Sequence, residues 1–189
     1  ANWTAAGEDV SVGTGTAANA HLTGIRADVR ELTGSLAGPT VFDFAGAGLT
    51  GSIGVMLSFS KASGTTWDVA NTTGDDSTHG ANRSITGVGS ISLAVGDYVV
   101  VFASVDTDSA LTITSPAITA SGITFGTTTR HTSGAGSGAG DNGNIEAFSA
   151  SVSSGSGTVA PVLTFTTSTS QCGGAVFVRL REVASGPND

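Results

Sequence analysis

An all-β fold, an antiparallel β-sandwich or jelly-roll-like domain with an extended N-terminal arm, follows from three observations on the sequence. Short runs rich in β-branched and aromatic residues recur along the chain. Gly, Ser, Asn and Asp bound these runs at spacings of roughly 8–12 residues. Helical periodicity is almost absent.

The last third carries the pattern most clearly. Tyr98-Val99-Val100-Val101-Phe102-Ala103-Ser104-Val105 follows a Val95-Gly96-Asp97 turn. Asn144 to Val152, Val162-Leu163-Thr164-Phe165 and Gly174 to Val183 read as three further strands, joined through 153–157 and 168–174. Before them, Asp106-Thr107-Asp108-Ser109 reads as a tight turn, because short polar side chains bond their own backbone there. Leu111-Thr112-Ile113 is then the returning arm of a hairpin. Residues 122–126 start a strand that runs toward Arg130, and residues 132–143 read as one long glycine-rich loop.

Earlier in the chain, Thr40 to Phe44 alternates with Phe42 and Phe44 on one face. Residues 52–60 give the cleanest period-two pattern, with Ile53, Val55, Leu57 and Phe59 against small partners. That predicts a central strand. Thr65 to Val69 precedes a polar excursion through 74–80, and two short strands lie at 83–88 and 90–95. The predicted core is Ile53, Val55, Leu57, Phe59, Val99, Val101, Ile113, Phe148, Leu163, Phe165, Val176 and Val178. Phe177 and Leu180 are expected to face the other way, onto a second layer or a partner.

Residues 1 to about 40 read differently, and the sandwich proper is assigned to 41–189. Asn2-Trp3-Thr4 and Asp9-Val10-Ser11-Val12 have the composition of short strands. Ile25, Val29 and Leu32 fit a helical turn or two, while Ile25, Ala27 and Val29 fit a strand almost as well. Two readings stay open: a first strand pair of the sandwich, or an arm that contacts a neighbouring subunit. The arm reading puts partner contacts at Trp3, Val10, Val12, Ile25, Val29 and Leu32.

Composition narrows the function classes. At 189 residues the chain is long enough for one well-buried domain, or a domain plus an arm. The net charge of −8, with seven Lys and Arg scattered along the chain, argues against a phosphate-tracking nucleic-acid surface. Charged residues make up 12%, about half of the roughly 25% that is usual. Ser and Thr supply the solubility instead, which suits extracellular adhesins, secreted modules and virus shells. Glycine, at 28 residues, is about twice the usual level, and with 39% apolar residues in coherent runs it marks turns and bulges rather than disorder. The lone Cys172 permits no internal disulfide and no zinc cluster. No apolar run approaches the ~18 residues of a membrane-spanning helix. No signal peptide is expected, and Ala1 suggests removal of an initiator Met or a longer leader.

Reactive constellations are hard to find. His21, His79 and His131 have no ligand-spaced His or Cys neighbour, so surface or turn roles are expected and no zinc site. Serine is abundant, but no Gly-x-Ser-x-Gly elbow is present. Asp106, Asp108 and Asp141 are weak calcium candidates, since loop carboxylates with backbone carbonyls suit a hard cation. Turn formation explains them without a metal. Trp67 is a candidate sugar-stacking platform, with a buried aromatic as the ordinary alternative. The sequons at Asn2, Asn71 and Asn82 are expected by chance in so hydroxyl-rich a chain.

The runs Ser58-Phe59-Ser60, Thr66-Trp67-Asp68, Ala94 to Val101, Asn144 to Phe148 and Gly174 to Glu182 together resemble a β-sandwich module of tailed-bacteriophage virion proteins. These are capsid decoration proteins and head or tail appendages. The likeness spans about residues 52 to 183 and rests on shared strand grammar, so no catalytic residue comes with it. It implies a multimeric, extracellular, non-enzymatic role on the virion surface. The expected partners are major capsid or other virion proteins and further copies of the chain, a trimer being one closed form; neither nucleic acid nor membrane is expected. The alternative expectation is a tail or head-fibre module, or a secreted module, that binds a surface glycan through residues 66–80 and 131–143. An enzyme is not expected.

Overall fold

The computed structural model describes residues 4–14, 21–29, 55, 57–76, 82–107, 113–135, 142–166 and 172–185; of β1 and β2 it describes the backbone. All regular structure in them is strand, and all pairing is antiparallel. In chain order the strands are β1 (Thr4–Thr14), β2 (His21–Val29), β3 (Thr65–Asp76), β4 (Asn82–Gly87), β5 (Ile91–Leu93), β6 (Tyr98–Thr107) and β7 (Thr114–Thr119). There follow β8 (Thr124–Phe125), β9 (Thr129–Ala135), β10 (Asn142–Ser154), β11 (Gly157–Val159), β12 (Val162–Thr166) and β13 (Cys172–Ala184).

Nine strands form one sheet in the order β7-β12-β4-β3-β13-β6-β10-β8, with β9 also paired to β10. The sheet curls until its two ends nearly meet. The Ala120–Ile123 bridge joins the β7 end to the β8 end, and the Ile118 amide donates to Thr128 Oγ1 at 3.1 Å across the same seam. The result is a barrel-like sheet, and its closure satisfies edges that would otherwise be open. β5 and β11 form a separate short ribbon whose Ile91 and Leu93 point into the interior.

The inner face carries the main core. Val99, Val101 and Ala103 of β6 meet Ala175 and Phe177 of β13, and Phe148, Ala150 and Val152 of β10. Ile85, Leu163, Phe165, Ile113 and Ile118 complete it from the other half of the curl. Each is at most 4% exposed. A strand places alternate side chains on opposite faces, so these same strands also present an outer set. Val100, Val176, Val178 and Leu180 are buried there, beside Trp67, Val69, Phe102, Ile145, Leu57 and Phe59. β6 and β13 are therefore apolar on consecutive residues because both of their faces are covered.

That two-sided burial corrects the expected facing of β13. Phe177 lies in the inner core, whereas Val176 and Val178 belong to the outer cluster together with Leu180. Residues 57–60 correct a second expectation. Leu57 and Phe59 do point inward and Ser58 and Ser60 outward, but the segment joins no ladder; it lies against the outer face instead of forming a central strand. The polar excursion expected at 74–80 is strand as far as Asp76, where β3 pairs with the glycine start of β13.

Of the turn expected at 106–109, Asp106 and Thr107 are strand, the end of β6, and residues 108 and 109 lie outside the described residues. β6 forms no hairpin with β7. Its neighbours are β13 and β10, and β7 pairs with β12. Of the long loop expected at 132–143, residues 132–135 belong to β9 and 142–143 to β10, which pairs with β9, and residues 136–141 lie outside the described residues. The run from 122 to 130 is split, because the Gly126 amide bonds the Ser151 carbonyl at 2.8 Å between β8 and β9. The expected strand at 40–44, and Ile53, lie outside the described residues.

β1 and β2 pair with each other over a register that starts at Thr4–Val29 and ends at Thr14–His21, with shifts near Gly7. Of the two forms left open for residues 25–32, the strand holds as far as Val29. This hairpin is a sheet of its own. It lies over the outer face of the main sheet, against β3, β13 and β6.

Candidate interaction face

The outer face of β3, β13, β6 and β10 is the place where the fold gathers apolar side chains that its own inner core does not need. Its centre is Val100, Val176, Val178 and Leu180, with Trp67 and Val69 on the β3 side and Phe102 and Ile145 toward β10. Its rim toward residues 57–60 is aromatic. The Phe59 ring stands 6.5 Å from Tyr98, tilted, and 6.2 Å edge-on from His131, spacings typical of favourable ring pairs. Tyr98 is 44% exposed. His131 shares a 2.7 Å hydrogen bond with the buried Ser149 hydroxyl, so it is held in place by a strand neighbour.

Three of the described arginines pair with carboxylates, two of which are buried. Arg181 grips Asp97 through both Nε and Nη2 at 2.7 Å, a two-pronged pairing that fits carboxylate geometry. Asp97 is buried, and its Oδ2 also accepts the Ala94 amide at 2.8 Å, which closes the turn before β6. The Asp97 hydrogen bond holds the Arg181 guanidinium above its ordinary pKa. Arg179 pairs with Asp68 at 2.6 Å and donates to the Ser92 carbonyl at 3.2 Å, pinning β5 to β13. On β10, Glu146 is buried and is held by the Arg130 guanidinium from β9. Burial pushes the Glu146 carboxyl pKa up, and the Arg130 bonds offset only part of that.

Arg83 is likewise buried, in β4. Four of the five cationic side chains described are thus committed inward or to the rim, and Lys61 is the other. The sequence gives only a faint signal for this. Arg179 and Arg181 are two apart and share a face, and Asp97 closes a Gly-Asp turn. Nothing in their spacing indicates that they meet.

Of the residues expected to contact a partner, Val10 and Val12 lie on β1, and Ile25 and Val29 on β2, all in the hairpin that covers this face. Trp3 and Leu32 lie outside the described residues. Trp67 sits on β3, half buried in the outer cluster, so the ring expected to be a platform is partly a packing residue. Residues 66–76 and 131–135, expected as glycan-binding loops, are strand. Asp106 is at the end of β6, while Asp108 and Asp141 lie outside the described residues. Among the described residues no group of three His, Cys, Asp or Glu side chains could hold a metal ion, and no helix is long and apolar enough to cross a membrane. Asn82, Arg83, Ser84, Ser115, Thr164, Phe165 and Thr166 line a shallow open hollow of about 330 Å³ on the far side of the curl.

No protein-family model matches the chain, and neither a curated protein nor a solved structure matches it.

Proposed function

We propose that the chain is a non-enzymatic virion structural protein, a capsid decoration protein that stabilises a shell by repeated, multivalent attachment. The observation that carries the reading is the independence of the N-terminal hairpin. Among the residues whose side chains are described, the buried inner core runs from Ile85 of β4 onward, and among the described strands β1 and β2 pair only with each other. A folded body with a separately organised appendage is what attachment along a shell requires. The surface chemistry agrees. With charged residues at 12% of the chain and a composition rich in hydroxyls, contacts between copies or with capsid subunits desolvate few charges.

Deletion of residues 1–40 tests this directly. The truncated chain is expected to keep its inner core and to lose binding to purified shells; retained binding contradicts the reading.

A second reading, a fibre or secreted module that binds a surface glycan, is favoured by the ring row of Phe59, Tyr98 and His131 with Trp67 nearby. Glycans stack on partly exposed rings of this kind. That reading expects a glycan-dependent rise in thermal stability, lost in Trp67→Ala and Tyr98→Ala.

A further inference from the structure

We propose that the edge strands of the nine-stranded sheet are shaped to refuse a further strand, so that copies of this chain crowd side by side without joining edge to edge. The inference goes beyond the attachment reading, and its test needs no particle. An open strand edge is a template for pairing with another chain, and a protein held at high density has most to lose from one.

The contrast between ladders carries the proposal. In the nine-stranded sheet the ladders between interior strands, β3–β4, β3–β13, β13–β6, β6–β10 and β12–β4, run without a register shift. The ladders that end on an edge strand, β12–β7, β10–β8 and β10–β9, each have one. Irregularity is thus confined to the ladders where a neighbour could be added. A bulge bends its strand, strengthens the local twist and breaks the even spacing of donors and acceptors that a straight partner needs.

Each edge is guarded in its own way. On β7, Ser115 and Pro116 together stand opposite Phe165, because Thr164 faces Ala117 and Thr166 faces Thr114. Ser115 has a φ of 50°, in the left-handed region that residues with a side chain rarely adopt. Pro116 has no N–H to offer a partner. On β9, His131 is the extra residue, since Ala147 faces Thr132 and Phe148 faces Arg130. The His131 ring is tied to the Ser149 hydroxyl at 2.7 Å, and Arg130 beside it turns back to hold Glu146 on β10. β8, with only Thr124 and Phe125, is too short to template a ladder. Nor do the edges close fully on each other. Beyond the Ala120–Ile123 bridge and the Ile118–Thr128 bond, no ladder joins β7 to β9 among the described strands.

The test straightens these edges in the full chain. One variant lacks Ser115 and carries Pro116→Val, which gives β7 a regular register; a second lacks His131, which does the same for β9. Sedimentation velocity from micromolar to millimolar concentration reads the weight-average mass, and near-ultraviolet circular dichroism checks the packing. Each straightened variant is expected to show a mass that rises with concentration above that of the native chain, toward twice its value or beyond. A charge on the straightened edge should undo the gain, so adding Thr114→Lys to the first variant is expected to return the native mass.

Folded, straightened variants that keep the native mass at every concentration overturn the proposal, and so does equal association with and without Thr114→Lys. If a deletion prevents folding, Pro116→Val alone returns a donor to β7 with the bulge in place. It is expected to give a smaller gain in mass, and no gain overturns the proposal. A chain that decorates shells while its straightened variants stay native-like keeps the attachment reading and loses this one.

Discussion

Asp97 shows how much one side chain organises. Its carboxylate closes the turn before β6, pairs with Arg181 on β13 and is itself buried, while its carbonyl accepts the Val152 amide of β10. Removing Arg181 leaves the Asp97 carboxylate buried and uncompensated, so Arg181→Met is expected to cost about 3–5 kcal/mol in urea unfolding. Asp97→Ala leaves Arg181, which is partly exposed and finds water, and should cost less, about 1–3 kcal/mol from the lost charged hydrogen bonds; a double variant close to either single would show the two acting as one unit. Glu146 makes a different prediction. Its folded pKa is raised by burial, so the folded state holds the proton more tightly than the unfolded one. The contribution of Glu146 to stability therefore falls as pH rises from the ordinary carboxylate range through the raised folded value. Unfolding curves across that window should show the difference between the native chain and Glu146→Gln shifting against the native chain as pH increases. A difference independent of pH contradicts the assignment. None of these partners was legible beforehand, because alternation gives the face of a residue but not which distant strand will lie opposite.

Strands covered on one side were easier to read than strands covered on both. β4 alternates strictly, with Arg83, Ile85 and Gly87 buried between exposed neighbours, and its position was readable from sequence. β13 is buried continuously from Gly173 to Leu180, so nothing in its pattern distinguishes the set that meets the inner core from the set that meets the outer cluster. The assignment of Phe177 outward failed for that reason. Residues 57–60 misled in the opposite sense, since an alternating segment can lie on a sheet without joining its ladder. The turns supply a sharper test. Gly96 and Gly155 both have positive φ, at 92° and 87°, a region that L side chains rarely adopt. A Cβ at Gly96 would meet nothing within 4 Å, whereas one at Gly155 would run into the Gly122 carbonyl oxygen. Gly96→Ala is expected to cost about 1–3 kcal/mol from backbone strain alone. Gly155→Ala adds about 1–3 kcal/mol of overlap to that. Equal losses in thermal denaturation would contradict this account of the β10–β11 turn.

At the scale of the whole molecule, two apolar layers on one curled sheet divide the work. The inner core holds the fold together, and Phe148→Ala, in a site with no exposure, should cost about 3–5 kcal/mol. The outer cluster depends on what lies over it. Removing residues 1–40 is expected to leave cooperative unfolding in place while adding strong binding of a hydrophobic dye and self-association, because Val100, Val176, Val178 and Leu180 would lose their cover. The all-β class and most strand positions were legible because runs of β-branched residues punctuated by turn formers have few other uses. The curl of the sheet was not, since the order β3-β13-β6-β10 joins strands far apart in sequence. The role proposed for the molecule is one of assembly, and the count of copies in purified particles tests it. Quantitative peptide mass spectrometry against a known shell protein is expected to find hundreds of copies per particle; a handful would make the chain a tail or fibre component, and none would contradict a role in the virion.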